Sequence, residues 1–140
     1  MTQRHSEAIK WGTDYFIGCH ISDYEFIGQI GDGDADHAIW DSPENLNMDR
    51  PAYSITTSGP GSDLAGETAA ALAASSIWFR MMGESDYADE CLQHAKVLFD
   101  FADNYRGIKP NFKKNWLSVG LVFYVHKSLF IQIKINIVLH

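Results

Sequence analysis

The chain has 140 residues, 46% of them apolar, with 18 Asp and Glu against 11 Lys and Arg. This composition suits one soluble globular unit and excludes collagen-like and disordered classes. All 18 acids lie in residues 1–107 beside 6 bases, while residues 108–140 carry 5 lysines and no acid, so the acidic body excludes non-specific binding to nucleic acid or anionic membranes, which needs clustered Lys and Arg.

Met1–Glu7 lacks the basic start, apolar run and small-residue site of a secretory leader, so no signal peptide is expected in this sequence. Residues 6–20 are predicted as a helix, with Ala8, Trp11, Tyr15 and Cys19 at spacings of three and four, and Ile9, Gly12 and Phe16 alongside, forming a buried face. From Ser22 to Pro60 glycine, proline and aspartate dominate, which predicts a long loop with a short extended piece at Glu25–Ile30. Its aromatics Tyr24, Phe26, Trp40 and Tyr53 argue against disorder.

Gly61-Ser62-Asp63 supplies a capping signal for a second helix reaching about Met81, whose small-residue core Thr68–Ser75 predicts packing on more than one side. A Met82-Gly83-Glu84 turn leads to a third helix from Ser85 to Gly107, with Ala88, Cys91, Leu92, Ala95, Leu98, Phe99 and Ala102 on one face. The two helices form an antiparallel hairpin, and Met81 and Met82 are expected to fill gaps at its turn. His20 and His94 are read as structural or exposed, and Cys19 and Cys91 are too few for a disulfide-stapled fold.

Beyond Gly107 the composition changes. Ile131, Ile133, Ile135 and Ile137 alternate with polar residues as in a strand, without a partner elsewhere. The charge-free stretch Trp116–Val125 is about half of the roughly 20 residues a spanning helix needs, so no membrane partner is expected.

The densest chemical signal is Gly31-Asp-Gly-Asp-Ala-Asp-His37, followed by Trp40. Its D-x-D-x-D start resembles a calcium loop, but His37 replaces the turn glycine and Pro43 stands where the bidentate Glu belongs, so no metal site is expected. Were the segment extended, Asp32 and Asp34 would lie roughly 6.6 Å apart on one side. An inverting glycosidase needs its two carboxyls on opposite faces of the sugar, which that arrangement cannot give. The loop can bind instead. Trp40 and Tyr53 offer flat apolar faces, and the acids with His37 can hydrogen-bond hydroxyls, a pairing that suits a neutral polyhydroxylated ligand. The plainer alternative is a set of tight turns over the helix ends with Trp40 as a plug.

Five segments resemble the middle of glycoside hydrolase family 9, and more narrowly its animal secreted endo-β-1,4-glucanases. They are IKWGTDYFI (9–17), GQIGDGDADH (28–37), MDRPAY (48–53), PGSDLAGETAAALAA (60–74) and the stretch from Gln93 to Gly107. They cover about residues 5–107, in order and at the expected spacing. The resemblance implies an all-α fold, a fragment of an (α/α)6 barrel comprising about three helices and one long cleft loop. Residues 1–107 are then a partial catalytic domain and residues 108–140 an unrelated tail, with translated non-coding sequence as one origin.

The resemblance further implies substrate binding by His37, which contacts a glucosyl unit, and by Trp40, which stacks on the chain, with Asp34 and Asp36 shaping the loop and reaching sugar hydroxyls. Asp63 and Glu67 are read as helix-start and packing residues. The family's Asp-Ala-Gly-Asp motif, proton-donating glutamate and calcium-site residues are not found in this sequence, so no catalytic residue is assigned and no cofactor is expected here, although the full-length family protein can hold calcium. The implied activity of the parent is inverting hydrolysis of internal β-1,4-glucosidic bonds in cellulose, by a secreted enzyme whose partner is the glucan chain. The alternatives are a non-catalytic carbohydrate-binding fragment and a non-functional truncated product.

Overall fold

The computed structural model describes residues 2–107, so the strand expected at 131–137 and the tail's composition change lie outside the described residues. Helix α1 spans Thr2–Cys19, four residues longer at its start than its apolar pattern predicts. The buried face matches the predicted one only at Cys19 and Phe16. Thr13 and Cys19 are buried, with Phe16 and Ile17 packed on the core, whereas Trp11 is 81% and Tyr15 54% exposed. A helix with apolar residues on two sides can turn either inward, and here the side tied by Thr13 wins. The Tyr87 hydroxyl lies 2.6 Å from Thr13 Oγ1 and donates to Asp14 Oδ1 at 2.6 Å, while Lys10 Nζ sits 3.5 Å from the Tyr87 ring centroid. The hydrogen bond from the Tyr87 hydroxyl, with help from Lys10, holds the exposed Asp14 carboxyl below its ordinary range against the opposing effect of burial.

The region predicted as one long loop holds a three-stranded antiparallel sheet, β1 (His20–Ser22), β2 (Glu25–Ile30) and β3 (Ala52–Thr56), in the order β1-β2-β3. The extended piece expected at Glu25–Ile30 is β2 itself, and the all-α expectation is corrected by the strands beside it. Phe26 faces Ile55 across the ladder, and both are buried, so the sheet contributes its own part of the core. The register shifts between Ile27 and Gln29, where Gly28 is the extra residue of a bulge; bulges bend a strand and re-aim the residues after it. The chain leaving β2 is thereby turned toward the segment described below.

Helices α3 (Ser62–Met81) and α4 (Ser85–Asn104) form the expected hairpin. From α3, Ala65, Ala69, Leu72, Ser76 and Phe79 repeat at alternating steps of four and three, and from α4 Ala88, Cys91, Ala95, Leu98 and Phe101 do nearly the same; all are buried. Alanine at the seam lets the two backbones approach while Leu72, Phe79, Leu98 and Phe101 fill the remaining volume. The turn is a Schellman closure: Glu84 N donates to Phe79 O at 2.9 Å, Gly83 N donates to Arg80 O at 3.2 Å, and Gly83 has φ +82. Met81 and Met82, expected to fill gaps, point to solvent at 71% and 38% exposure.

Gly61 precedes α3, with no side-chain capping bond from the residue itself. Its role is space, since a Cβ there would lie 2.7 Å from Ile55 Cγ2. Ser62, part of the predicted cap signal, instead reaches the far end of the hairpin. Its N–H donates to Gly107 O at 2.9 Å, and its hydroxyl bonds Gly107 O at 3.1 Å. Cys19 and Cys91 are both buried free thiols, and burial pushes the Cys91 thiol up.

Candidate binding site

Between β2 and β3 the chain makes a five-residue helix, α2 (Gly33–His37). It forms because Asp32 caps it: Asp32 Oδ1 accepts from Asp34 N at 3.0 Å and Ala35 N at 3.1 Å, leaving a short acidic turn where anions complement the peptide dipoles. The segment is therefore not extended, and the strand spacing considered for Asp32 and Asp34 does not apply. The return strand fixes this turn from the other side. Tyr53 donates to Asp32 Oδ2 at 3.3 Å, Arg50 Nη2 lies 3.7 Å from Asp36 Oδ1, and Gly31 N donates to Pro51 O at 2.8 Å. Gln29, re-aimed by the bulge, donates to Gly31 O at 2.8 Å.

Of the four expected binding residues, Asp34, Asp36 and His37 lie on α2, and Trp40 follows three residues after its end; all four are exposed. Trp40, at 104% exposure, covers no helix end, which removes its reading as a plug. The chain after it is held in turn. Asp41 Oδ1 accepts from Ser42 N at 2.7 Å and Asn45 Nδ2 at 3.0 Å, closing a 3-10 turn over Pro43–Asn45. The Asn45 amide, then the Ser42 N–H, hold the Asp41 carboxyl below its ordinary range. An exposed indole on a segment pinned at both ends can cover an apolar sugar face, while the adjacent carboxylates and imidazole can meet hydroxyls.

Arg50, Tyr53 and Asp41 as supports of this segment escaped the sequence reading. The first two act across a strand pairing that was not predicted, whereas Asp41 with Asn45 carried a visible Asx signal four residues apart. Asp63 occupies the first turn of α3 as expected; Glu67, expected to pack, is exposed. Among the described residues, no group of three or more His, Cys, Asp or Glu side chains is arranged to hold a metal ion. Nor is any helix among them long and apolar enough to cross a membrane.

The described residues thus form a helical hairpin joined to a small sheet, with an aromatic and acidic segment displayed beyond the sheet. The chain belongs to glycosyl hydrolase family 9, whose model matches residues 1–126. It is 55% identical over 105 residues to endoglucanase 2 of Oryza sativa and 55% identical over 101 residues to endoglucanase 19 of Arabidopsis thaliana. Among solved structures it resembles an endoglucanase of the termite Nasutitermes takasagoensis, with TM-score 0.73, 45% identity and coverage of 92% of this chain and 35% of that one. A cellulase of C. cellulolyticum, solved in complex with cellobiose, gives TM-score 0.72 at 29% identity and covers 91% of this chain and 33% of that one. The matched segment spans only 16% of the rice and Arabidopsis proteins.

Proposed function

We propose that this chain is a glucan-binding portion of an endo-β-1,4-glucanase, the part that holds a β-1,4-linked glucose chain while internal bonds are hydrolysed with inversion. The observation that carries the reading is Trp40, fully exposed on a segment that Asp32, Tyr53 and Asp41 hold in place, in a chain of this family. Its partner is cellulose or a soluble β-1,4-glucan, and the setting is an extracellular one, as for the secreted glucanases it resembles. Residues His37, Asp34 and Asp36 supply hydrogen bonds to hydroxyls. The two catalytic carboxylates, and the residues for any calcium, are supplied by parts of the parent outside these 140 residues. The exposed Trp11, Tyr15, Ile77 and Met81 support this, being apolar faces of the kind that neighbouring hairpins of an (α/α)6 barrel cover.

Hydrolysis needs one group to activate water and another to protonate the leaving oxygen. Lacking both, the purified chain is expected to release no reducing sugar from carboxymethylcellulose above a blank. Release above the blank that survives repurification would overturn the assignment of the catalytic carboxylates to the rest of the parent.

A further inference from the structure

His20 opens β1 and His94 lies mid-way along α4, and their rings meet edge to face with centroids 4.9 Å apart. The two Nδ1 atoms are 2.7 Å apart. A neutral imidazole carries one N–H and one bare nitrogen, so this contact requires one ring to donate and the other to accept. His20 Nε2 is buried and has no hydrogen-bond partner, and the two rings border a shallow cavity of about 230 Å³ that also includes Ser22, Asp23 and Gln93. The least costly neutral state has His20 donating from Nδ1 and keeping Nε2 bare, since a buried N–H without an acceptor is the dearer orphan.

We infer that His20 and His94 form a proton-gated latch between β1 and α4, in which the pair holds at most one added proton and entry of a second parts the rings. One added proton can keep the contact only with one Nδ1 bare and both Nε2 atoms protonated, which places an N–H on the buried, partnerless Nε2 of His20 and weakens the latch. A second puts an N–H on each side of a 2.7 Å gap and two cations in contact. The ionisable groups acting on His20 are His94 from α4 and Asp23 from the turn after β1. Burial, then the His94 charge, holds the His20 imidazole below its ordinary range, with Asp23 and the Ser22 backbone opposing. A base whose folded value is depressed binds fewer protons folded than unfolded, so stability rises with pH. The stabilisation is complete above about pH 6.5, the ordinary histidine value, and diminishes as pH falls below it. β1 pairs with β2, which leads into α2, so the latch ties the sheet bearing the candidate site to the hairpin.

The test is the melting temperature of the full chain from about pH 7.5 to about pH 5, compared with His94→Asn, which keeps a polar atom near the Nδ1 position but takes up no proton. The wild-type chain is expected to lose several degrees more than the variant over this range. Equal losses would overturn the latch. Should the variant not fold, the ring nitrogens of the wild-type chain decide by nuclear magnetic resonance. Uptake of one proton across the pair supports the latch, and independent protonation of both rings near about pH 6.5 overturns it.

Discussion

Replacing Phe101 by Ala is expected to destabilise the chain by about 3–5 kcal/mol. The ring is 1% exposed and meets Tyr24 and Tyr105, with centroids 6.0 and 5.8 Å away, so it closes the end of the hairpin against the β1–β2 turn. Deleting it forfeits the transfer of an aromatic side chain and leaves a cavity that the helical seam cannot collapse around. Against a total of about 5–15 kcal/mol for an ordinary domain, that loss is a large share. In urea the midpoint should fall by more than about 1 M with the slope unchanged. Trp11→Ala is the informative contrast. At 81% exposure its removal should move stability by less than about 0.5 kcal/mol, although its helical spacing marks it as a core residue.

The second large effect is on binding. Covering one indole face removes about half of the roughly 150–250 Å² that an aromatic buries, worth about 2 kcal/mol at about 25 cal/mol per Å². Trp40→Ala should therefore weaken binding of a cello-oligosaccharide by roughly thirtyfold, with little change in melting temperature, because the exposed ring supports no core contact. Isothermal titration checks both the size and the site. Wild-type affinity retained in Trp40→Ala would show that the indole takes no part.

The hairpin was legible because α4 sustains its apolar period for about four turns, α3 is marked by a capping signal and a core of small helix-forming residues, and the turn between them is short. The sheet was not legible for the opposite reason. Only β2 stood out, as the extended piece at Glu25–Ile30; strands of three and five residues give too few alternations to separate from loop. What pairs β2 with β3 is the meeting of Phe26 and Ile55, 29 positions apart, which local periodicity does not encode. For α1 the period was visible but its direction was not. Trp11 and Tyr15 outrank Thr13 in hydrophobicity, yet Thr13 faces inward because Tyr87, 74 positions away, bonds it.

The same division runs through the candidate site. His37, Trp40, Asp34 and Asp36 could be named from residue type and resemblance, and the structure places them together on one exposed segment. The supports could not be named. Asp32 was visible as one of three aspartates, but only the return of β3 shows that Tyr53 and Arg50 hold the first and third of them. His20 and His94 likewise looked unremarkable in isolation, and their contact exists only because β1 lies on α4.

The claim that this chain is the sugar-holding part of a glucanase is tested most directly by mapping a titration with cellohexaose onto the backbone amides of the full chain. Dose-dependent shifts are expected at Asp34–Asp41 and at Arg50 and Tyr53, with the α3–α4 seam unmoved. Shifts confined to other surfaces, or none at millimolar sugar, would contradict it.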